Sequence, residues 1–385
     1  MATAGGPDIE RDGLVFGYDT GYGIADNDTS TRFYPGEPTT NHSPTSFGDW
    51  GTESTAERIA TGNTFRGQPT YNCRTVVGQS WRGIEKTITG LRTAAGASGT
   101  VTMSCMVRNN NSSAYSMYAY IGHDFGSTRT IAANSDWQRI QWTVNQSSMN
   151  NDYVEFRPYT NNASIYLEMT MPQVEVNVGT ATPWTETSRS STTSLIDLKK
   201  TTDIDVSNVS FDSTGQPTFD GTDDRIGVTH NVALDIPTNI TVEAVVKYSA
   251  QGGGGESYGV ITYKGYPWNW LLEDQGGKFN FRISTSSVSD SNINSNFSHG
   301  LNTYHHVVAT YNGTTQAIYV NGVLKASKSL TGTITTTGST VRVGSYTNGD
   351  YVHNGDIPVV KIYNRAFTAQ EIKQNYNAYK NRFNI

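Results

Sequence analysis

Cysteine is nearly absent: the 385 residues contain two, Cys73 and Cys105. Two thiols do not make a disulfide framework. Charge is also scarce, with Asp, Glu, Lys and Arg together at 16% and a formal net charge of −6. No cluster of Lys and Arg occurs. The basic footprint that nucleic acid needs for counterion release is missing, so that partner is excluded. No run of about 18 apolar residues occurs, so no membrane insertion by a spanning helix is expected. The opening MATAGGPDIERDG lacks a basic segment followed by an apolar run and does not read as a secretory signal. Synthesis in a reducing cytoplasm is the expectation. No repeat of supersecondary size is found.

What is present is β-forming and polar. Tyr is abundant at 22, and Gly stands at 38. Aromatic and β-branched residues recur between turns rich in Ser, Thr, Asn and Gly, which argues against disorder and for many strands. Val101, Met103, Cys105 and Val107 alternate with polar residues, so Cys105 points into a core and both thiols read as buried and free. Met117 to Ile121, Ile140-Trp142-Val144, Val154-Phe156 and Ile165 to Met171 show the same period of two. Beyond residue 193 the pattern resumes at Ile240-Val242-Ala244-Val246, Phe279-Phe281-Ile283, Val308 to Tyr311, Ile318 to Val320, Val341-Val343 and Val359 to Tyr363. Asn321-Gly322 between two such runs predicts a hairpin, because a type I′ turn needs positive φ at both positions. TATPWTETSRSSTT (180–193) is small and polar and reads as a boundary. GGGG (252–255) reads as a loop and not as a phosphate cradle, since no helix and no Lys-Ser or Lys-Thr follows it. Thr368-Ala369-Gln370-Glu371 has the form of a capping box. Ile372, Tyr376 and Tyr379 follow at helical spacing and predict a helix of about three turns from Ala369. The fold class is therefore all-β: antiparallel β-sandwiches with one short C-terminal helix.

Catalytic patterns are missing. No Glu-x-Asp-x-x-Glu run places alternate carboxylates on one strand face, and Glu273-Asp274 would point to opposite faces. No Gly-x-Ser-x-Gly elbow and no Cys/His metal spacing occurs. The chain is not expected to be an enzyme, and a polysaccharide hydrolase is the weaker alternative. His305-His306 are strand neighbours facing opposite ways and cannot chelate one ion together. The aromatics offer more. Sugars stack their C–H faces on flat rings. Tyr118 and Tyr120 share a face opposite Met117, Ala119 and Ile121, so their strand already has a separate inward face. Trp268 and Trp270 share a face if YPWNW is extended, with Asn269, Asp274, Asn280 and Arg282 nearby to meet hydroxyls. Trp81 and Trp50 are further candidates. For any single ring, filling a core or a chain–chain interface is the commoner use.

Several segments carry a family resemblance. TYHHVVATYNGTTQAIYVNGVLKAS (303–327) resembles the core hairpin of laminin-G-like, concanavalin-A-like domains. FDGTDDRIGV (219–228) resembles their early strand pair. GDIPVVKIYNRAFTAQEIKQNYNAYKNRF (355–383) resembles the ending of such domains in structural proteins of tailed phages, where a strand resembling GLVFGYD (13–19) opens the domain. Between them, TVTMSCMVRNN (100–110), DWQRIQWTV (136–144) and IYLEMTMPQVEVNVGTATPW (165–184) resemble a jelly-roll carbohydrate-binding module. The resemblance implies an N-terminal arm (1–12), a first part of the laminin-G-like sandwich (13–32), an inserted jelly roll (33–187) and the remainder of the sandwich (188–385). It also implies a structural protein of a tailed-phage virion, as a head decoration, collar or fibre component, made in the host cytoplasm. Its partners would be other virion proteins, further copies of itself (a trimer among the options) and a host-surface glycan. A dedicated glycan-binding adhesin is the alternative. No cofactor is required. Such domains often hold a structural calcium, and Asp220, Asp223 and Asp356 fall where the resemblance would allow one, although Asp220-Gly221 is also ordinary turn chemistry.

Overall fold

The computed structural model describes residues 9–20, 38–43, 46–52, 56–65, 67–75, 83–159, 164–182, 184–191, 194–212, 216–250, 258–346 and 349–385. Trp81 and the GGGG stretch lie outside the described residues. The chain is all-β apart from short helical turns and the C-terminal helix. It divides into two compact units, one holding the described residues up to Thr20 and from Ser191 onward, the other Pro38 to Ser190.

The first unit is a sandwich of two sheets. One sheet runs in the order Ser210–Phe211, Pro217–Asp220, Asn354–Tyr363, Ile240–Tyr248, Tyr304–Tyr311, Thr315–Val320, Val323–Ser329. Strand Leu14–Asp19 also pairs antiparallel with Asn354–Tyr363, setting Phe16 opposite Ile362 and Tyr18 opposite Val360. The other sheet runs Ile204–Asn208, Arg225–Val228, Val341–Val343, Tyr258–Lys264, Trp270–Gln275, Lys278–Ile283, Ser291–Ser298. Alternation explains the core. Val242, Ala244 and Val246 meet Ile261, Leu272 and Phe281 between the sheets, where Phe16 and Tyr18 are also fully buried. Asn321 and Gly322 take φ of 51° and 73°, the positive values the hairpin requires.

The C-terminal helix covers the outside of the first sheet. It spans Ala369–Phe383, and both halves of the capping box are formed. It runs longer than the three turns read from sequence and ends on Asn384 in the left-handed region. Its buried face is Ile372, Asn375, Tyr379 and Phe383, while Tyr376 stays half-buried. Asn375 sits inward because it has a partner there. Its Nδ2 donates to both oxygens of the fully buried Glu243, at 2.9 and 3.0 Å. His306 Nε2 lies 2.7 Å from the same carboxylate, and Tyr363 donates to it at 3.1 Å. Burial alone would raise the Glu243 pKa, but the His306 and Asn375 contacts and the Lys361 charge hold it below the ordinary value. Ile9 packs on Val245, Val359, Tyr379 and Phe383, and the Glu10 N–H donates to Asn375 Oδ1. Residues 9–12 therefore lie against their own sandwich.

The second unit is also a β-sandwich. Its main path is Arg129–Ile131, Tyr115–Ile121, Tyr153–Tyr159, Gln68–Thr75, Leu167–Val176, Thr100–Asn109, Ser135–Asn145. Neighbours are antiparallel except Tyr153–Tyr159 and Gln68–Thr75, which meet in parallel at Tyr159 and Thr75. The core holds Met103, Cys105, Val107, Met117, Ala119, Ile121 and Phe156. Cys73 and Cys105 are buried there as free thiols, and burial raises both thiol pKa values. Trp50 also lies in this core, against Phe47 and Phe156, and is closed to ligand. Among the described residues no helix is long and apolar enough to cross a membrane.

Candidate carbohydrate-binding face

The strand register of the second unit gathers a set of side chains on one sheet face. Tyr118 pairs with Arg157, Tyr120 with Glu155, and Thr75 with Tyr159. Antiparallel partners share a face, so Tyr118, Tyr120, Glu155 and Arg157 look away from the Met117, Ala119 and Phe156 core, with Tyr159 on the same side by alternation. The segment after strand Tyr115–Ile121 folds back to form a wall: the Gly126 N–H donates to Ala119 O at 3.0 Å, and Trp142 Nε1 donates to Ser127 O at 2.7 Å. A Cβ on Gly126 would fall 2.3 Å from the Trp142 ring, so only glycine lets this wall close. The result is a groove of about 490 Å³ lined by Thr75, Tyr118, Phe125, Gly126, Ser127, Thr128, Arg157 and Tyr159. That size suits a small ligand or a few sugar rings.

The two tyrosines read from sequence do share a face, but they do different work. Tyr118 lines the groove. Tyr120 supports it: its ring packs edge-on against Phe125 and Tyr153, and the Arg157 guanidinium lies 5.0 Å from its centre. Arg157 donates through Nη2 to Glu155 Oε2 at 2.5 Å. Sequence reading missed Arg157, Thr75, Phe125 and Tyr159, because nothing but register brings them to the groove.

The tryptophan pair of the first unit does not share a face. Gly265 to Trp268 form a turn, and the Asn269 N–H closes it on Lys264 O at 3.1 Å. Trp270 therefore points into the sandwich core, 1% exposed, and cannot stack a sugar. Asn269 is equally buried and accepts from Thr337 Oγ1 at 2.9 Å. Trp268 lies on the opposite side of the sheet with Tyr263, Tyr346 and Tyr351. Its ring stacks on Tyr346 at 5.7 Å and meets Tyr266 edge-on. Glu273 sits on this side with Arg282 at 3.0 Å, and burial pushes its carboxyl up to about 7. Asp274 faces inward to His299 at 2.9 Å. The two carboxylates are thus divided by the sheet.

The aspartates separate in the same way. Asp220, Asp223 and Asp224 place carboxylate oxygens within 4.8 Å of one another at the turn after strand Pro217–Asp220. Burial and the two neighbouring aspartates raise the Asp224 pKa. Hard oxygen donors of this kind suit calcium. Asp356 is not among them: it pairs with Lys247 and accepts from the Tyr304 hydroxyl at 2.7 Å. Asp224, and not the expected Asp356, completes the group.

Residues 220–373 match a laminin-G-like family model described as the concanavalin A-like lectin/glucanases superfamily. Among solved structures, the receptor-binding domain of botulinum neurotoxin type G is 17% identical with a TM-score of 0.39, covering 47% of this chain and 48% of that one. The ligand-binding domain of botulinum neurotoxin serotype D in complex with N-acetylneuraminic acid is 18% identical with a TM-score of 0.40, covering 48% of each chain. This chain spans about half the length of these structures. No curated protein sequence matches it. The groove at Tyr118 and Arg157 lies outside the matched residues.

Proposed function

We propose that the chain is a non-catalytic, glycan-binding structural protein of a tailed-phage virion, and that the glycan lies in the groove of the second unit. The groove carries this reading: half-buried tyrosine rings at Tyr118 and Tyr159, exposed hydroxyls at Ser127 and Thr128, and a buried arginine line one concavity on a sheet whose other face is already filled. Flat rings beside convergent polar groups are what a pyranose needs. The virion role rests on the phage-type ending at 355–383, and the laminin-G-like match at 220–373 supports a lectin-like frame for it. On this reading the second unit is an insert in the first, between strand Leu14–Asp19 and the rest of its sandwich. Other virion proteins and further copies of the chain are its partners, and it is made in the host cytoplasm.

A glycan array with the purified chain tests the binding. Capture of a defined glycan class is expected. Tyr118→Ala should weaken that capture at least tenfold while leaving the circular dichroism spectrum unchanged. Trp268→Ala should leave it intact. Binding that survives Tyr118→Ala and fails with Trp268→Ala would move the site to the first unit.

A further inference from the structure

We propose that the groove of the second unit selects an acidic sugar, a pyranose bearing a carboxylate, and that Arg157 and Thr75 hold that carboxylate. This rests on the reading that the groove binds glycan. Two of the residues that line it each carry a buried polar atom without a partner among the described residues. One is Arg157 Nε, on a residue 7% exposed; the other is Thr75 Oγ1, on a residue 1% exposed. Native interiors rarely leave such groups unmet, and these two sit on residues that line the groove, where a ligand can supply the bond. Their chemistry narrows what that is. A guanidinium Nε–H can only donate, and a threonine hydroxyl can donate as well. The ligand atom facing Arg157 Nε must accept, and the threonine hydroxyl can donate to a second acceptor beside it. A carboxylate offers two acceptor oxygens on one carbon and makes the stronger, charge-assisted bond to arginine.

The surroundings hold Arg157 ready for this. Its Nη2 is committed to Glu155, which is itself 1% exposed. Its guanidinium lies 5.0 Å from the Tyr120 ring centre and 5.3 Å from that of Phe125. The side chain is thus held before ligand arrives, and its Nε–H has no partner among the described residues. Thr75 stands beside Tyr159 in the strand register, and Arg157 beside Tyr118, so each donor is neighbour to one ring. The carboxylate of a sugar stacked on those rings would meet the donors while its hydroxyls reach Ser127 and Thr128.

The test uses two matched pairs on the full chain: trigalacturonate against its methyl ester, and sialyllactose against lactose. In at least one pair the acid should bind at least tenfold more tightly than its neutral partner. Arg157→Gln and Thr75→Val should each bring that ratio to within about threefold, and Tyr118→Ala should weaken both members alike. Arg157→Lys, which keeps charge but not the Nε–H direction, should also lower the ratio, and serves if the glutamine variant does not fold. Equal binding of acid and ester, still dependent on Tyr118, would overturn the acidic selection and leave the glycan groove standing. An acid preference untouched by Arg157 and Thr75 variants would overturn the assignment of those residues. Loss of all glycan capture would remove both readings.

Discussion

The first unit buries two histidines in a way that should set its response to acid. His353 is fully buried against Tyr248 and Phe219, and its Nε2–H donates to Lys247 O at 3.1 Å. His305 lies among Phe279, Phe297 and His299, and neither ring nitrogen meets a partner among the described residues. Burial lowers both, from 6.5 to about 4 for His305 and about 3 for His353. A lowered histidine is neutral in the folded state, so its stability is complete above pH 6.5 and is lost as pH falls below it. Between pH 7.5 and 5.0 each histidine should cost about 2 kcal/mol, because only the unfolded chain takes up the proton. Glu273 acts the other way. Its folded pKa of about 7 lies above the ordinary 4.5. It therefore binds a proton in the folded state over that window, and acidification returns about 2 kcal/mol. Urea unfolding at the two pH values reads the balance. The wild type should lose about 2 kcal/mol on going to pH 5.0 and Glu273→Gln about 4, while His305→Phe should show almost no change. A Glu273→Gln profile no steeper than wild type, or a His305→Phe profile as steep as it, would refute the reasoning.

Three further outcomes follow from the geometry. Asn375→Ala should destabilise the first unit by about 2 to 4 kcal/mol, because it strips two hydrogen bonds from a buried carboxylate, and urea midpoints would show it; a loss below 1 kcal/mol would mean His306 and Tyr363 suffice for Glu243. Phe16→Ala should cost about 3 to 5 kcal/mol, as a ring deletion in a filled core does, and a surface-like loss in the same measurement would contradict the pairing of Leu14–Asp19. Asp223→Asn should raise the melting temperature in chelator, by relieving three crowded carboxylates, and calcium should reverse the order of the two proteins; an equal response to calcium would refute a cation at this turn.

The legible parts of the fold were those coded by near neighbours in sequence. Val101, Met103, Cys105 and Val107 name a strand by alternation, Asn321-Gly322 names its turn by φ, and Thr368 with Glu371 names a helix start. What escaped depends on partners far along the chain. Asn375 is polar, so a search for apolar periodicity passes over it; only Glu243, 132 residues away, explains why it faces inward. YPWNW looks extended until Gly265 adopts a φ of 64° and turns it. Tyr118 was visible as a surface ring, but Arg157 and Thr75 become site residues only through pairing. Asp356 was drawn away from the acidic turn by Lys247, its cross-strand partner.

The pairing of Leu14–Asp19 with Asn354–Tyr363 has a consequence in time. Asp19 meets Val359, about 340 residues later. At roughly 5–20 residues per second, a ribosome needs roughly 20 to 70 seconds to make the partner strand. For that interval Phe16 and Tyr18 have no core to enter, although each ends fully buried. The residues of the second unit all emerge during the wait and need none of the later chain to pair their strands. The nascent protein thus finishes its middle before its beginning, and its first strand is among the last to find a place.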